Sequence, residues 1–174
     1  IARSLATQIS SLKLRAMLAT DPVDALLVAI ALVGVALCSD RPNAEVEARV
    51  RHVLNLVDNQ IDEDGLHRTR SAKIQIQLLI ELITIKLALR RDHEQASRDL
   101  EELTESMHRA LDAISLGTGE PAYFNGTGQM PHDLIVAIQA QSAARARQTG
   151  TAGGYGRLIA GRSIVVADSG LVAD

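Results

Sequence analysis

Residues 61–71 read IDEDGLHRTRS, so three acids, a glycine, a histidine and two arginines fall between two stretches of helical periodicity. Gly65 suits the left-handed backbone that ends a helix, and Asp62 and Asp64 are turn residues. His67, Arg68 and Arg70 stand just before Ser71, whose hydroxyl suits the N-cap of the next helix. A helix start offers N–H donors and a positive dipole end. An imidazole and a guanidinium beside it would suit an anion such as a carboxylate. The same residues also read as a solvated loop, with His67 at the surface and the arginines paired to Asp62–Asp64.

The chain has three aromatic residues, Tyr123, Phe124 and Tyr155. Two stand in the stretch 117–131, GTGEPAYFNGTGQMP, whose four glycines and two prolines exclude a helix. A long aromatic loop suits a binding site. Alternatively, Phe124 plugs the core and holds the loop down. The glycines are not a phosphate-binding loop, because the Lys-Ser/Thr pair is missing. His52, His93, His108 and His132 show no metal-ligand spacing. Cys38 is the single cysteine, so no intrachain disulfide and no thiolate metal site can form. It reads as a small buried hydrophobe. No metal and no cofactor is expected. Arg145, Arg147, Arg157 and Arg162 read as solvated surface, or else as a phosphate-binding cluster.

These residues need a scaffold, and the pattern around them is helical. The length of 174 residues allows a domain with a real core, filled by aliphatic side chains because aromatics make up 2%. The net charge of −3 gives no general affinity for nucleic acid. Apolar periodicity predicts helices at about 1–19, 22–37, 44–61, 71–91 and 93–116, with a short one at 132–145. Asp21 and Asn43 are the expected caps of the second and third. The apolar run 25–37 is shorter than the roughly 18 residues a membrane span needs, so a buried helix is expected there. Residues 148–154 read as flexible. Strands follow at 155–159 and 163–167 around an Ala160-Gly161-Arg162 turn. Leu171-Val172-Ala173 reads as the start of another. An isolated hairpin is marginal in water. The chain, which begins with Ile, is therefore expected to be a fragment with a β domain following Asp174.

The order DGLHRTRS, a long helix, FNGTG, QSAARAR and GGYGRLIAGRSIVVADSG resembles the bacterial heparinase II/III-like polysaccharide lyases. The resemblance covers nearly the whole chain. It implies a mainly α fold: an incomplete (α/α) toroid of antiparallel helical hairpins over 1–150, then the start of an antiparallel β-sandwich over 151–174. It also implies β-elimination on a uronic-acid polysaccharide such as a glycosaminoglycan. His67 would then serve at the uronate carboxylate and Tyr123 as base, acid or both. Arg70, Asn125 and Tyr155 would bind substrate. The periplasm or cell envelope is the compartment implied, with the cytoplasm left open. Where such lyases carry an aromatic residue and a histidine at the start of the central helix, this chain reads Ala72-Lys73-Ile74-Gln75. A non-catalytic acidic-glycan-binding or envelope-associated protein on the same scaffold is therefore the alternative. A helical interaction module is the third reading. It differs in leaving His67 and Tyr123 far apart. Oligomeric state and the identity of any glycan are not encoded in these motifs.

Overall fold

The computed structural model describes residues 2–39, 41–89, 93–142 and 150–170, with side chains from residue 4 onward. The described residues form six helices and one three-stranded antiparallel sheet. The expectation of a mainly helical chain ending in antiparallel strands is met at that level. The chain divides into two compact units, Ile1–Gln60 with Glu81–Leu100, and Ile61–Ile80 with Glu101–Asp174.

The first unit holds α1 (Ala2–Leu18), α2 (Pro22–Cys38) and α3 (Asn43–Asp58). Asp21 caps α2 as expected: its Oδ1 accepts the Asp24 N–H at 2.8 Å, and Pro22 fills the first helical position. Asn43 is not a cap but the first residue of α3, with Pro42 before it and no side-chain capping bond. The α3 stripe Val46, Val50, Val53 and Val57 is buried. Each such valine contributes roughly 1.5–3 kcal/mol of transfer free energy. Gln60 Nε2 donates to the Pro22 carbonyl at 2.8 Å, fastening the end of α3 to the start of α2. Cys38, expected to be buried, is exposed. The buried stripe of α2 runs through Leu26, Ala29, Ile30, Val33 and Ala36, and position 38 falls off it.

Helices α4 (Ala72–Ala88) and α5 (Glu94–Ala113) contribute residues to both units. Ile76, Leu78, Leu79 and Leu82 of α4 are wholly buried, as its near-continuous apolar sequence requires. The second unit adds α6 (His132–Gln139) and strands β1 (Gly150–Ala152), β2 (Tyr155–Ala160) and β3 (Ser163–Asp168). The remainder of the helix expected to reach residue 145, and the strand expected at 171–173, lie outside the described residues.

Both hairpins turn on two residues. Gly153 and Gly154, at φ 53° and 77°, join β1 to β2, and a type I′ turn needs positive φ at both positions. Gly161, at φ 60°, opens the β2–β3 turn ahead of Arg162, the glycine-first pattern of a type II′ turn. β1 falls where a flexible stretch was expected. The Gly-Gly dipeptide was its one signal. Alternation along β2 turns Tyr155 and Arg157 inward and Leu158 outward, directly opposite Val165 of β3.

Candidate functional site

The 61–71 turn is organised by Asp62 and Gln75. Asp62 Oδ1 accepts the N–H groups of Asp64 and Leu66 at 3.0 and 2.8 Å. Gln75, fully buried on α4, accepts the His67 N–H at 2.9 Å through Oε1. Its Nε2 donates to the carbonyls of Gly65 and Met107 at 2.8 and 3.0 Å. His67 is itself buried, contrary to a surface-loop reading. Its Nδ1 accepts the Thr69 N–H at 3.2 Å and lies 2.8 Å from Thr69 Oγ1, so Nδ1 is the unprotonated nitrogen. The imidazole is thus built into its own turn. At the start of α4, Thr127 Oγ1 lies 3.3 Å from Ser71 Oγ and accepts the Lys73 N–H at 3.4 Å. The glycine-rich loop closes the helix end where an anion was expected.

Arg70, Asn125 and Tyr155 are brought together, with Asp168 as a fourth member. Arg70 pairs with Asp168, and its guanidinium carbon lies 4.9 Å from the centre of the Tyr155 ring. The Tyr155 hydroxyl donates to the Arg70 carbonyl at 2.7 Å and accepts from Asn125 Nδ2 at 2.6 Å. Asn125 Nδ2 also lies 3.3 Å from Asp168 Oδ2. Phe124 packs on Tyr155 with ring centroids 5.6 Å apart, so it does hold the loop down. Arg70 and Asn125 both have positive φ, 58° and 48°. Outside glycine that conformation costs roughly 1–2 kcal/mol, least for asparagine. The cluster holds both residues in it. Tyr123 is 51% exposed and joins none of these contacts.

Three of the cavities formed by described residues have linings that leave out His67, Arg70, Tyr123, Asn125 and Tyr155. One, of about 380 Å³, lies within the second unit between α5, the turn after it, α6 and the sheet. His108 binds α5 to α6 here: Nδ1 lies 2.7 Å from the Thr104 carbonyl and Nε2 3.0 Å from the Ile138 carbonyl. Both ring nitrogens thus face backbone carbonyl oxygens. Asp112, one helical turn on, also lines the cavity. Burial pushes its carboxyl above the ordinary value, against the opposing pull of His108 and Arg157. Arg157 enters from β2 and is buried, not part of a solvated basic surface. Arg145 and Arg147 lie outside the described residues. His108 and Arg157 were each singled out in the sequence, but not Asp112 and not the three as a group. The i, i+4 spacing of His108 and Asp112 was its only local mark.

No family model matches the chain, and no solved structure matches it. The chain is 28% identical over 145 residues to FtsZ-localized protein C of Caulobacter vibrioides. The match takes in 82% of this chain but only 25% of that protein, so the chain spans about a quarter of its relative's length. The heparinase II/III-like resemblance is therefore corrected, and with it the polysaccharide lyase and its glycosaminoglycan substrate. The geometry gives a physical reason. β-Elimination needs positive charge held ready for a uronate and a phenol in the same crevice. Here Arg70 is already neutralised by Asp168, the His67 ring is turned to Thr69, and Tyr123 is half-exposed and outside the Arg70–Tyr155 cluster.

Proposed function

We propose that this chain is a segment of a cell-division-associated protein and acts by binding protein partners rather than by cleaving a glycan. The observation that carries this is the similarity to FtsZ-localized protein C across 82% of the chain. The surface supports it. Leu158 and Val165, opposite each other on the sheet, are 62% and 55% exposed. Leu14, Met17 and Leu18 form an exposed apolar end on α1. Single exposed apolar residues are ordinary, but neighbouring ones favour an interaction surface. In this reading Arg70, Asn125, Tyr155 and Asp168 fasten the sheet to the helical part of its unit. The finer architecture, an incomplete (α/α) toroid leading into a β-sandwich, belongs to the same proposal. Consecutive helices on short connectors and a sheet with one face exposed support it.

The test is co-sedimentation of the purified chain with FtsZ polymers, alongside the position of a fluorescent fusion in dividing cells. The expected result is a chain that pellets only when FtsZ polymerises and a fusion that gathers at midcell. A chain that stays in the supernatant, with a diffuse fusion, overturns the proposal.

A further inference from the structure

Asp112 and Arg157 present opposite charges to one cavity without meeting. Among the described residues the Asp112 carboxylate receives no hydrogen bond and no ion pair within 4.0 Å, yet it is partly desolvated. Arg157 has interactions of its own, but a guanidinium carries five N–H donors, enough to serve a ligand as well. The imidazole on the wall, His108, has both ring nitrogens directed at backbone carbonyls. Gln139 Nε2 is held by the Gly119 carbonyl at 3.1 Å, and Ser142 Oγ by Glu105 at 2.8 Å. The wall therefore keeps one acceptor of negative charge and one donor of positive charge for an occupant. The volume of about 380 Å³ falls in the range of small-molecule sites.

We propose that this cavity binds a small zwitterion of the amino-acid or dipeptide class, its ammonium on Asp112 and its carboxylate on Arg157. A simple anion would leave Asp112 unmatched beside its own charge. A simple cation would face Arg157. A molecule carrying both charges has a partner for each. Gly117 and Gly119 also line the cavity, so backbone there can approach the occupant closely. The ammonium supplies the partner the half-buried carboxylate lacks, so binding draws the Asp112 carboxyl back down toward its ordinary range.

The experiment is a two-dimensional NMR titration of the whole chain with L-alanine and glycylglycine, compared with acetate, ethylammonium and glucose. The expected result is movement of the Gly117 and Gly119 amide signals with the two zwitterions, at affinities at least about tenfold above those of the single-charge probes. Asp112→Asn, which keeps the shape, should weaken zwitterion binding by about tenfold or more. Arg157→Lys, which keeps the charge, should weaken it less. In the wild-type chain the Asp112 carboxyl carbon should titrate at lower pH with ligand bound. No movement with either zwitterion overturns the proposal. So does an equal response to acetate or glucose, or undiminished binding by a folded Asp112→Asn chain.

Discussion

The Tyr155 hydroxyl donates a 2.7 Å hydrogen bond to the carbonyl oxygen of Arg70, 85 residues earlier in the chain. The hydroxyl oxygen of Tyr155 itself accepts from Asn125, and the Tyr155 ring lies under the Arg70 guanidinium and against Phe124. A strand, the glycine-rich loop and the turn before α4 thus meet on one buried side chain.

Tyr155→Phe keeps the ring and removes both hydrogen bonds. It leaves the Arg70 carbonyl without this donor and Asn125 without this acceptor, so stability should fall by about 1–3 kcal/mol in urea unfolding. Tyr155→Ala also removes the ring and should cost about 3–5 kcal/mol. Unchanged unfolding of Tyr155→Phe would show that the hydroxyl fastens nothing.

Gly65→Ala should be costly for two separable reasons. Its φ of 88° strains any L side chain, and the added Cβ would lie 2.6 Å from the carbonyl oxygen of Ser106. Gly126, at φ 75° with open space around it, is the control for strain alone. Gly126→Ala should cost roughly 1–2 kcal/mol. Gly65→Ala should cost clearly more, because backbone at Ser106 must move. Equal losses by denaturant unfolding would remove the steric part of the account.

Gln75→Met preserves volume and strips three buried backbone groups, on His67, Gly65 and Met107, of a partner. The expected loss is about 1–3 kcal/mol for each group left unsatisfied. Faster amide exchange at His67 should accompany it. A variant as stable and as protected as the parent would show that the turn holds itself.

Asp112 gives a pH signature. Its carboxyl is raised by burial, so the folded chain binds that proton more tightly than the unfolded chain does. Stability from this group is therefore present at low pH. It is lost as pH rises from the ordinary value of 3.8 through the higher folded value. The charged groups acting on it are His108 on its own helix and Arg157 on β2. Asp112→Asn should raise the melting temperature at neutral pH, and the gain should shrink on acidification. A gain that grew toward acid would reverse the sign of the effect.

Much of the helical scaffold was legible because its signals are local. Asp21-Pro22 starts α2, the valine spacing marks α3, and the apolar run marks α4. Asn43 misled because a capping residue type is common and Pro42 takes the place before the helix. Cys38 misled because an apolar neighbourhood in sequence is not a buried stripe. Arg70, Asn125 and Tyr155 were singled out and do meet, but Asp168, which neutralises Arg70, was not among them. A long-range ion pair leaves no mark on spacing. The same holds for Arg157, whose burial depends on which face of β2 turns inward.

The two-residue turn at Gly161-Arg162 fixes more than the direction of β3. With Ala160 opposite Ser163, and the Ser169 N–H bonded to the Gly154 carbonyl, alternate residues of β3 point their amides at β2. Ser163, Val165 and Ala167 are the inward set, so Ile164, Val166 and Asp168 offer theirs to the open side. Placed in heavy water, this strand should trade hydrogen for deuterium in a two-beat rhythm, fast at the even numbers and slow at the odd.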